Sequence, residues 1–590
     1  MSRRRVLVLV SLAALLASGC GVSMPDNGPV VEASAGSTRT DDEVVNINPH
    51  RPGKGDTAEE IVQGFIEAMT ATPAIKTSVA REFLSKGARQ SWQPTGTIIY
   101  TGSVSTSRGG SQLIQAQLTE ASRTDARGAW LGGVPDEEAT LSFPMETENG
   151  QWRISDPPDW LIVPQRWFEQ RFTQVSLYFF DPTAAILIPE PVFVPRGQQL
   201  ASTLVNGLLA GPSPELADNE LNLLPEHLRS LSVPVSDGVA QIDLVSDTAE
   251  DVTIAPDEAE RLVSQLAWTI GQDPSIERFS VSIGGRAVQT PDGETEFGID
   301  HGHEYAPYVA GSSTMLFGLL DGRLVGGSPQ NLEAVAGPFG RSADYGLRTA
   351  APDLRLDQAA GVTVSGTSLL VGPVKDTGET VTSPITTGED LLDPAWDFSG
   401  RLWEVDRRAG GSVVQYVQNG KAHDLDVPGI SGADVKHFLV SRDGSRLIAV
   451  LRTDGLNDAI VVSRILTRGD GRVDRALPAV TITASEDLDG QIRDIAWLSP
   501  TSITVLRPVT KSFFQVRTVT VDGAPTGADG VSIPINRDVA GLVGTPVPGE
   551  NGYAFIPGVD GSPGALVDLA GPRANAIEID GQVTSLGYVG

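Results

Sequence analysis

The sequence predicts a multidomain chain, α+β in its first half and all-β in its second, ending in a β-propeller of five or six blades. Three observations lead there. At 590 residues the chain is too long for one hydrophobic core. Apolar residues recur at helical spacing in several stretches before about residue 270, then give way from about Ser313 to short alternating strands. With 64 Gly and 40 Pro against only 20% charged residues, the composition suits turn-rich β structure better than helical bundles.

The chain opens with Arg3, Arg4 and Arg5, followed by an apolar run over 6–17. That run is too short for a helix crossing a hydrocarbon core of roughly 30 Å, and it reads as a secretory signal. Leu16-Ala17-Ser18-Gly19 then lead into Cys20, the single cysteine of the chain. The arrangement resembles a bacterial lipobox, with Ala17 where Leu is more usual. An ordinary signal peptide with an incidental Cys20 is the alternative. The lipobox resemblance implies that 1–19 is removed and that the Cys20 thiol carries diacylglycerol. Two acyl chains, at about 0.8 kcal/mol per buried methylene, give the stable anchoring that one chain does not. The expected place is the outer face of the cytoplasmic membrane. Loss of 1–19 removes three arginines and no acid, taking the net charge from −30 to about −33. Such a surface repels nucleic acid, so none is expected as a partner. With Cys20 lipidated no disulfide is possible. Residues 20–55, rich in Pro, Gly, Ser, Thr and Asp, read as the lipidated cysteine and a flexible tether spanning roughly 30–35 Å.

From Asp56 the texture changes. Asp56 or Thr57 can cap a helix with Glu59 and Glu60 in its first turn, Ile61, Phe65, Ile66 and Met69 on one face, and Pro73 as its stop. A second helix is expected over 77–91, turning Val79, Phe83, Leu84 and Trp92 toward the first. Strands follow at 97–100, 113–118 and 139–143, then Trp152 and Ile154 before a break at Pro157-Pro158. Two helices and a curved antiparallel sheet over 56–170 resemble the NTF2/cystatin-like α+β shape, a likeness that carries no function. Trp152, Trp160 and Trp167 either line a pocket or, as is commoner, fill the core.

Over 171–308 the order is α/β. Residues 175–180 and 192–194 read as strands, and 198–210 as a helix with Leu200, Leu204 and Leu208 on one face, stopped by Gly211-Pro212. Apolar runs at 231–235 and 239–244 flank Ser236-Asp237-Gly238, a strong hairpin signal. A helix over 257–270 and a strand over 279–283 follow. The strings Val175-Ser-Leu-Tyr-Phe-Phe, Leu204-Val-Asn-Gly-Leu-Leu-Ala-Gly-Pro212 and Ser236-Asp-Gly-Val-Ala-Gln-Ile-Asp-Leu244 resemble the GerMN domain, named for germination and sporulation proteins. The resemblance implies binding or assembly and brings no catalytic motif.

Asp300-His301-Gly302-His303-Glu304 is the most metal-like patch. In an extended strand His301 and His303 would share a face, and two imidazoles with a carboxylate suit zinc. A third ligand at suitable spacing is not visible, and His50, His227, His423 and His437 are scattered singly. An exposed polar connection between domains is the plainer reading, and no metal or cofactor is expected.

Over 309–590 related segments recur. Pro394-Ala-Trp-Asp-Phe-Ser-Gly-Arg-Leu-Trp-Glu-Val405, His437-Phe-Leu-Val-Ser-Arg-Asp-Gly-Ser-Arg-Leu-Ile-Ala-Val450 and Ile495-Ala-Trp-Leu-Ser-Pro-Thr-Ser-Ile-Thr-Val505 each join two apolar strands through a Ser/Asp/Gly turn, and Gly552-Tyr-Ala-Phe-Ile556 repeats the idea weakly. Their spacing of about 40 to 60 residues is the period of four-stranded propeller blades. The last strand, over 583–589, is expected to close the ring against 314–320. A β-sandwich array is the alternative.

Lipobox, α+β domain, GerMN-like domain and propeller, in that order, resemble the actinobacterial LpqB lipoprotein family over essentially the whole chain. The resemblance implies association with the MtrA–MtrB two-component system, through the extracytoplasmic domain of the sensor histidine kinase, with influence on cell-wall growth and division. The residues themselves show no enzyme motif. A Gly-x-Ser-x-Gly elbow and a His-Glu-x-x-His pair are missing, and Gly53-Lys54 and Gly420-Lys421 lack the frame of a phosphate loop. With 74 Asp and Glu, a paired-carboxylate hydrolase stays open. The alternative to a kinase-regulating lipoprotein is therefore a cell-envelope glycan- or peptide-binding protein, or such a hydrolase.

Overall fold

The computed structural model describes residues 49–70, 77–197, 199–246, 254–453, 457–482, 490–525, 533–558, 562–570, 576–579 and 581–590. Cys20, the signal peptide, the tether up to residue 48 and Pro73 lie outside them. Asn48–Gly590 forms one compact unit.

Of the two caps on offer for the helix Ala58–Ala68, Thr57 is used. Its hydroxyl accepts from Glu60 N at 3.2 Å while the Glu60 carboxylate accepts from Thr57 N at 2.7 Å, a closed capping box. The buried face, with Ile61, Val62, Phe65 and Ile66, packs on Trp92 and Phe143, whose rings lie 5.2 and 6.1 Å from that of Phe65. The expected second helix is broken into a 3₁₀ turn, Ala80–Phe83, and a short helix, Lys86–Ser91. The cause is Leu84, which is extended because it bridges to Ile154. Ser85 then restarts the helix by accepting from Ala88 N.

Two four-stranded sheets complete this region: Trp130–Gly133, Ala121–Thr124, Gly96–Tyr100 and Trp160–Pro164 in one, Val104–Gly110, Leu113–Leu118, Thr140–Glu148 and Gln151–Ile154 in the other. Trp160–Pro164 runs parallel to Gly96–Tyr100. The sheets are thus not wholly antiparallel, and Pro157-Pro158 lies on the crossing that brings this strand home rather than at a boundary.

In the next region Phe172–Phe180 and Leu187–Pro195 form a hairpin paired along nine residues each. Its turn is wound on Asp181, whose Oδ1 accepts from Ala185 N and Ile186 N at 2.7 and 3.0 Å. Val239–Ser246, the helix Pro256–Ile270 and Arg278–Ile283 make a strand–helix–strand crossover with the two strands parallel. The Asp237-Gly238 turn is present, with φ of 50° and 78°, the double positive φ of a type I′ hairpin. Its first arm is only Val235–Ser236, and Leu231, expected in that arm, is exposed. Residues 290–304 are not a bare connection: Glu296–Gly298 pairs with Arg278–Ile283 and buries Phe297.

Among the described residues the C-terminal half forms a propeller of six sheets. Blade 1 holds Leu316–Leu320, Arg323–Ser328, Asn331–Ala334 and Val583–Gly587. Blades 2 to 6 begin with Leu347–Pro352, Ala395–Trp396, Val435–Val440, Asp494–Ser499 and Gly541–Val543. Each neighbouring pair shares an apolar core, from Phe317, Leu347 and Ala359 between blades 1 and 2 to Ala496, Phe514 and Leu542 between blades 5 and 6. A sixth core, with Leu566 and Ile579 against Leu316 and Val583, joins the last blade to the first. The ring is therefore closed, and Val583–Gly587 pairs with Leu316–Leu320 as the sequence led one to expect. The sandwich alternative falls, and six replaces the expected five or six blades.

Candidate functional site

The residues singled out by sequence are not brought together. Trp167 is buried, and its Nε1 donates to Thr70 O at 3.2 Å; Trp152 and Trp160 pack half-buried on the same core. All three are core residues. His301 and His303 do not share a face, because Gly302 turns the chain with φ 74°. His301 Nε2 lies 2.9 Å from Glu260 Oε1, within ion-pair range but without hydrogen-bond geometry. His303 faces the Tyr308 hydroxyl at 3.5 Å. Among the described residues no three His, Cys, Asp or Glu side chains converge as metal ligands.

What the fold does assemble is a charged junction between the 172–195 hairpin and the propeller. Arg446, on the second strand of blade 4, is almost wholly buried. Its Nη2 donates to Glu190 at 2.5 Å and to Pro189 O at 2.6 Å. Arg464, on the third strand, donates to Glu190 at 2.6 Å and also to Glu220. Burial pushes the Glu190 carboxyl up, but Arg464 and Arg446 outweigh it and hold it below the usual range. Glu220 goes the other way: burial and the charge of Glu190 raise it well above the usual range. Two carboxyl groups thus share the field of two guanidiniums and lie against each other, one held charged and the other pushed toward its neutral form. Gln174 adds a bond to Asp522 of blade 5 at 2.9 Å.

A third arginine lies at the same end of blade 4. Arg442 sits in the turn between the first two strands of blade 4, and it reaches Thr545 of blade 6 at 3.1 Å and Val589 O, beyond the closing strand of blade 1, at 2.8 Å. Its other amino group holds Tyr308 O and Ser312 Oγ at 2.9 and 2.7 Å. Burial lowers its pKa to about 10. It therefore ties blades 4, 6 and 1 together at this end of the ring.

The 56–170 region is tied on by Phe193 N, which donates to Gly128 O at 2.8 Å. Gly128 has φ 86°, and a Cβ there would stand 2.1 Å from Phe193 O, so the approach requires glycine. The rings of Trp130 and Phe168 pack 5.9 and 5.0 Å from Phe193. Chemically, these junctions fix three modules as one body. Sequence reasoning passed over Glu190, Glu220, Arg442, Arg446 and Arg464. The available signal was a charge inside an apolar strand, as in Ile188-Pro-Glu190-Pro-Val192 and Ser463-Arg464-Ile465.

Three family models match the chain: "Lipoprotein LpqB, N-terminal domain" over residues 51–169, "Sporulation and spore germination" over 176–289, and "Lipoprotein LpqB beta-propeller domain" over 322–536. Lipoprotein LpqB of Cutibacterium acnes is 26% identical, across 92% of this chain and 93% of its own. Lipoprotein LpqB of Streptomyces avermitilis is 27% identical, across 91% and 92%. Among solved structures, the first GerMN domain of the sporulation protein GerM from Bacillus subtilis is 20% identical with a TM-score of 0.17, covering 21% of this chain and 92% of its own.

Proposed function

Because the chain belongs to the LpqB lipoprotein family, we propose that it is anchored through diacylglyceryl Cys20 at the outer face of the cytoplasmic membrane. There it serves, without catalysis of its own, as an accessory regulator of a sensor histidine kinase of the MtrB type, meeting the kinase's extracytoplasmic domain. The observation that carries this reading is Cys20 itself, the single cysteine, placed at the end of a signal-like run and ahead of a polar stretch and one compact body. A tether of this kind confines the body to a thin layer, where the effective concentration of a neighbouring membrane protein approaches millimolar for short links. A contact of roughly micromolar strength is then well occupied at the membrane. Modest differential affinity for two kinase states is enough to shift their populations.

The test is a secreted form carrying Cys20→Ala, expressed at matched abundance, with kinase-dependent transcription as the readout. The expected result is impaired signalling with an intact fold. Full restoration by the untethered form removes the proximity argument, and unchanged kinase output on deletion of the whole protein removes the regulator reading in favour of envelope binding.

A further inference from the structure

Four blades carry a matched position at the end of the channel away from Arg442. Trp396 Nε1 donates back to Ala351 O of blade 2, and Trp497 Nε1 donates back to Val440 O of blade 4. Phe398 N donates to Arg442 O at 2.8 Å, two residues beyond Trp396 and Val440, and so joins the two pairs at one level of the ring. Three residues earlier on the respective chains stand Arg348, Asp393, His437 and Asp494. His437 Nδ1 lies 3.7 Å from Asp494 Oδ1, and Asp494 Oδ2 accepts from Leu542 N of blade 6 at 2.7 Å. Asp393 keeps solvent access, yet the protein packed around it pushes its carboxyl above the usual range, with Arg348 and Arg407 opposing.

The neighbouring cations are committed elsewhere. Arg348 and Arg407 both hold Asp390, and Lys436 holds Asp458 at 2.7 Å and Ile492 O at 2.8 Å. Burial, helped by Lys436 and Arg407, lowers His437 to about 4, so its ring is neutral at pH 7. Asp393 has no ion pair among the described residues, and the one open to Asp494, with His437, requires that ring to be protonated. Burial, with the charge of Asp393, pushes Asp494 up to about 7. One strand outward, Glu404 is wholly buried beside Asp393, and its Oε2 has no hydrogen-bond partner among the described residues. Asp393, His437 and Asp494 all keep solvent access, so this end of the channel is reached from outside, while Arg442 ties blades 4, 6 and 1 together at the other.

We propose that the open end of the propeller channel binds a primary ammonium group, received between Asp393 and Asp494 with the neutral His437 ring alongside. An ammonium offers three donors on a compact charge, matching two carboxylates and an imidazole nitrogen. An anion would meet carboxylates, and a divalent metal would need convergent ligands that the described residues do not supply.

The experiment is titration calorimetry on the full-length chain in detergent micelles, with three probes. Cadaverine offers a free amine, a Gly-Lys-Gly peptide blocked at both ends offers a lysine side chain, and 1-pentanol offers the stem alone. Saturable one-to-one binding of an amine, weakened about tenfold or more by Asp393→Asn, is the expected result, as befits loss of one charge-assisted hydrogen bond. Equal binding of cadaverine and peptide assigns the site to any accessible amine, and tighter peptide binding assigns it to a lysine of a partner. Asp494→Asn gives up one of its two backbone amide partners and risks the fold, so Asp393→Asn carries the test. Three outcomes overturn the proposal: no heat from either amine up to about 10 mM, equal binding by 1-pentanol, or amine binding unchanged in Asp393→Asn with an unaltered melting temperature.

Discussion

The two ends of the propeller channel are built from opposite uses of charge. At the end facing the 172–195 hairpin, Arg442, Arg446 and Arg464 are buried and each is bonded to groups on another blade or another module. At the other end Asp393, His437 and Asp494 are partly open to solvent, and their nearest cations serve other carboxylates. The first arrangement can be weakened only by breaking it, since a buried ion left alone is costly; the second can respond to what arrives. Burial thus separates charges that hold the molecule together from charges available to a ligand.

The comparison breaks most completely if the ring is opened. Stopping the chain before Val583 removes the strand paired with Leu316–Leu320 and also Val589 O, a partner of Arg442. Cooperative unfolding should be lost, with bare strand edges exposed; an unchanged melting curve by calorimetry would falsify ring closure by this strand. The next largest effect is at the junction. Glu190→Met leaves Arg446 and Arg464 buried with one shared acceptor gone, a change expected to cost about 3–5 kcal/mol. The check is the midpoint of urea unfolding, which should fall well below that of the parent chain. A shift typical of a surface substitution would mean that water reaches the junction and screens it.

These two ends were unequally legible in the sequence. The repeated strand–turn–strand segments fell on the first hairpins of blades 3, 4 and 5, because apolar alternation and Asp/Ser turns are local signals. Ring closure followed from topology once blades were recognised. The Leu84 break was not legible, since it depends on Ile154, seventy residues away. Nor was the junction, whose partners lie as far apart as Glu190 and Arg464 and meet only through packing. His437 and Asp494 looked like scattered polar residues because equivalence between blades shows itself only when the tryptophan bonds fix the level of each strand.

The open end should also show itself in pH dependence, with two opposed signs. His437 falls from an ordinary 6.5 to about 4 in the folded chain, chiefly through burial and then through Lys436 and Arg407, with Asp458 opposing. The unfolded chain therefore takes up that proton first, and stability is lost as pH falls from 6.5 toward 4. Asp494 rises from 3.8 to about 7, chiefly through burial, with Asp393 adding and Arg493 opposing. Here the folded chain takes up the proton first, so the contribution is complete below 3.8 and is lost as pH rises through 7. His437→Gln should flatten the acid-side fall in melting temperature, and Asp494→Asn the fall toward neutrality. Parallel curves for parent and variants across pH 4 to 7 would show that neither group is enclosed in the folded chain.

The smallest effect should come from an ion pair at the open rim. Arg452 Nη1 and Asp434 Oδ2 stand 3.1 Å apart, farther than the 2.5 Å of Arg446 and Glu190 but still a full contact. The difference that matters is exposure: the rim side chains are 55% and 52% accessible, against 2% and 19% at the junction. Water and salt screen the rim pair, and holding two long side chains together costs rotamer freedom, so exposed pairs contribute only about 0–1 kcal/mol. Removing Asp434 leaves Arg452 solvated rather than stranded. Asp434→Asn should therefore move the urea midpoint by no more than a few tenths of the shift produced by Glu190→Met, and less still as salt is raised. If the two substitutions cost the same at low salt, distance rather than burial governs these pairs, and the contrast between the two ends of the channel fails on its own terms.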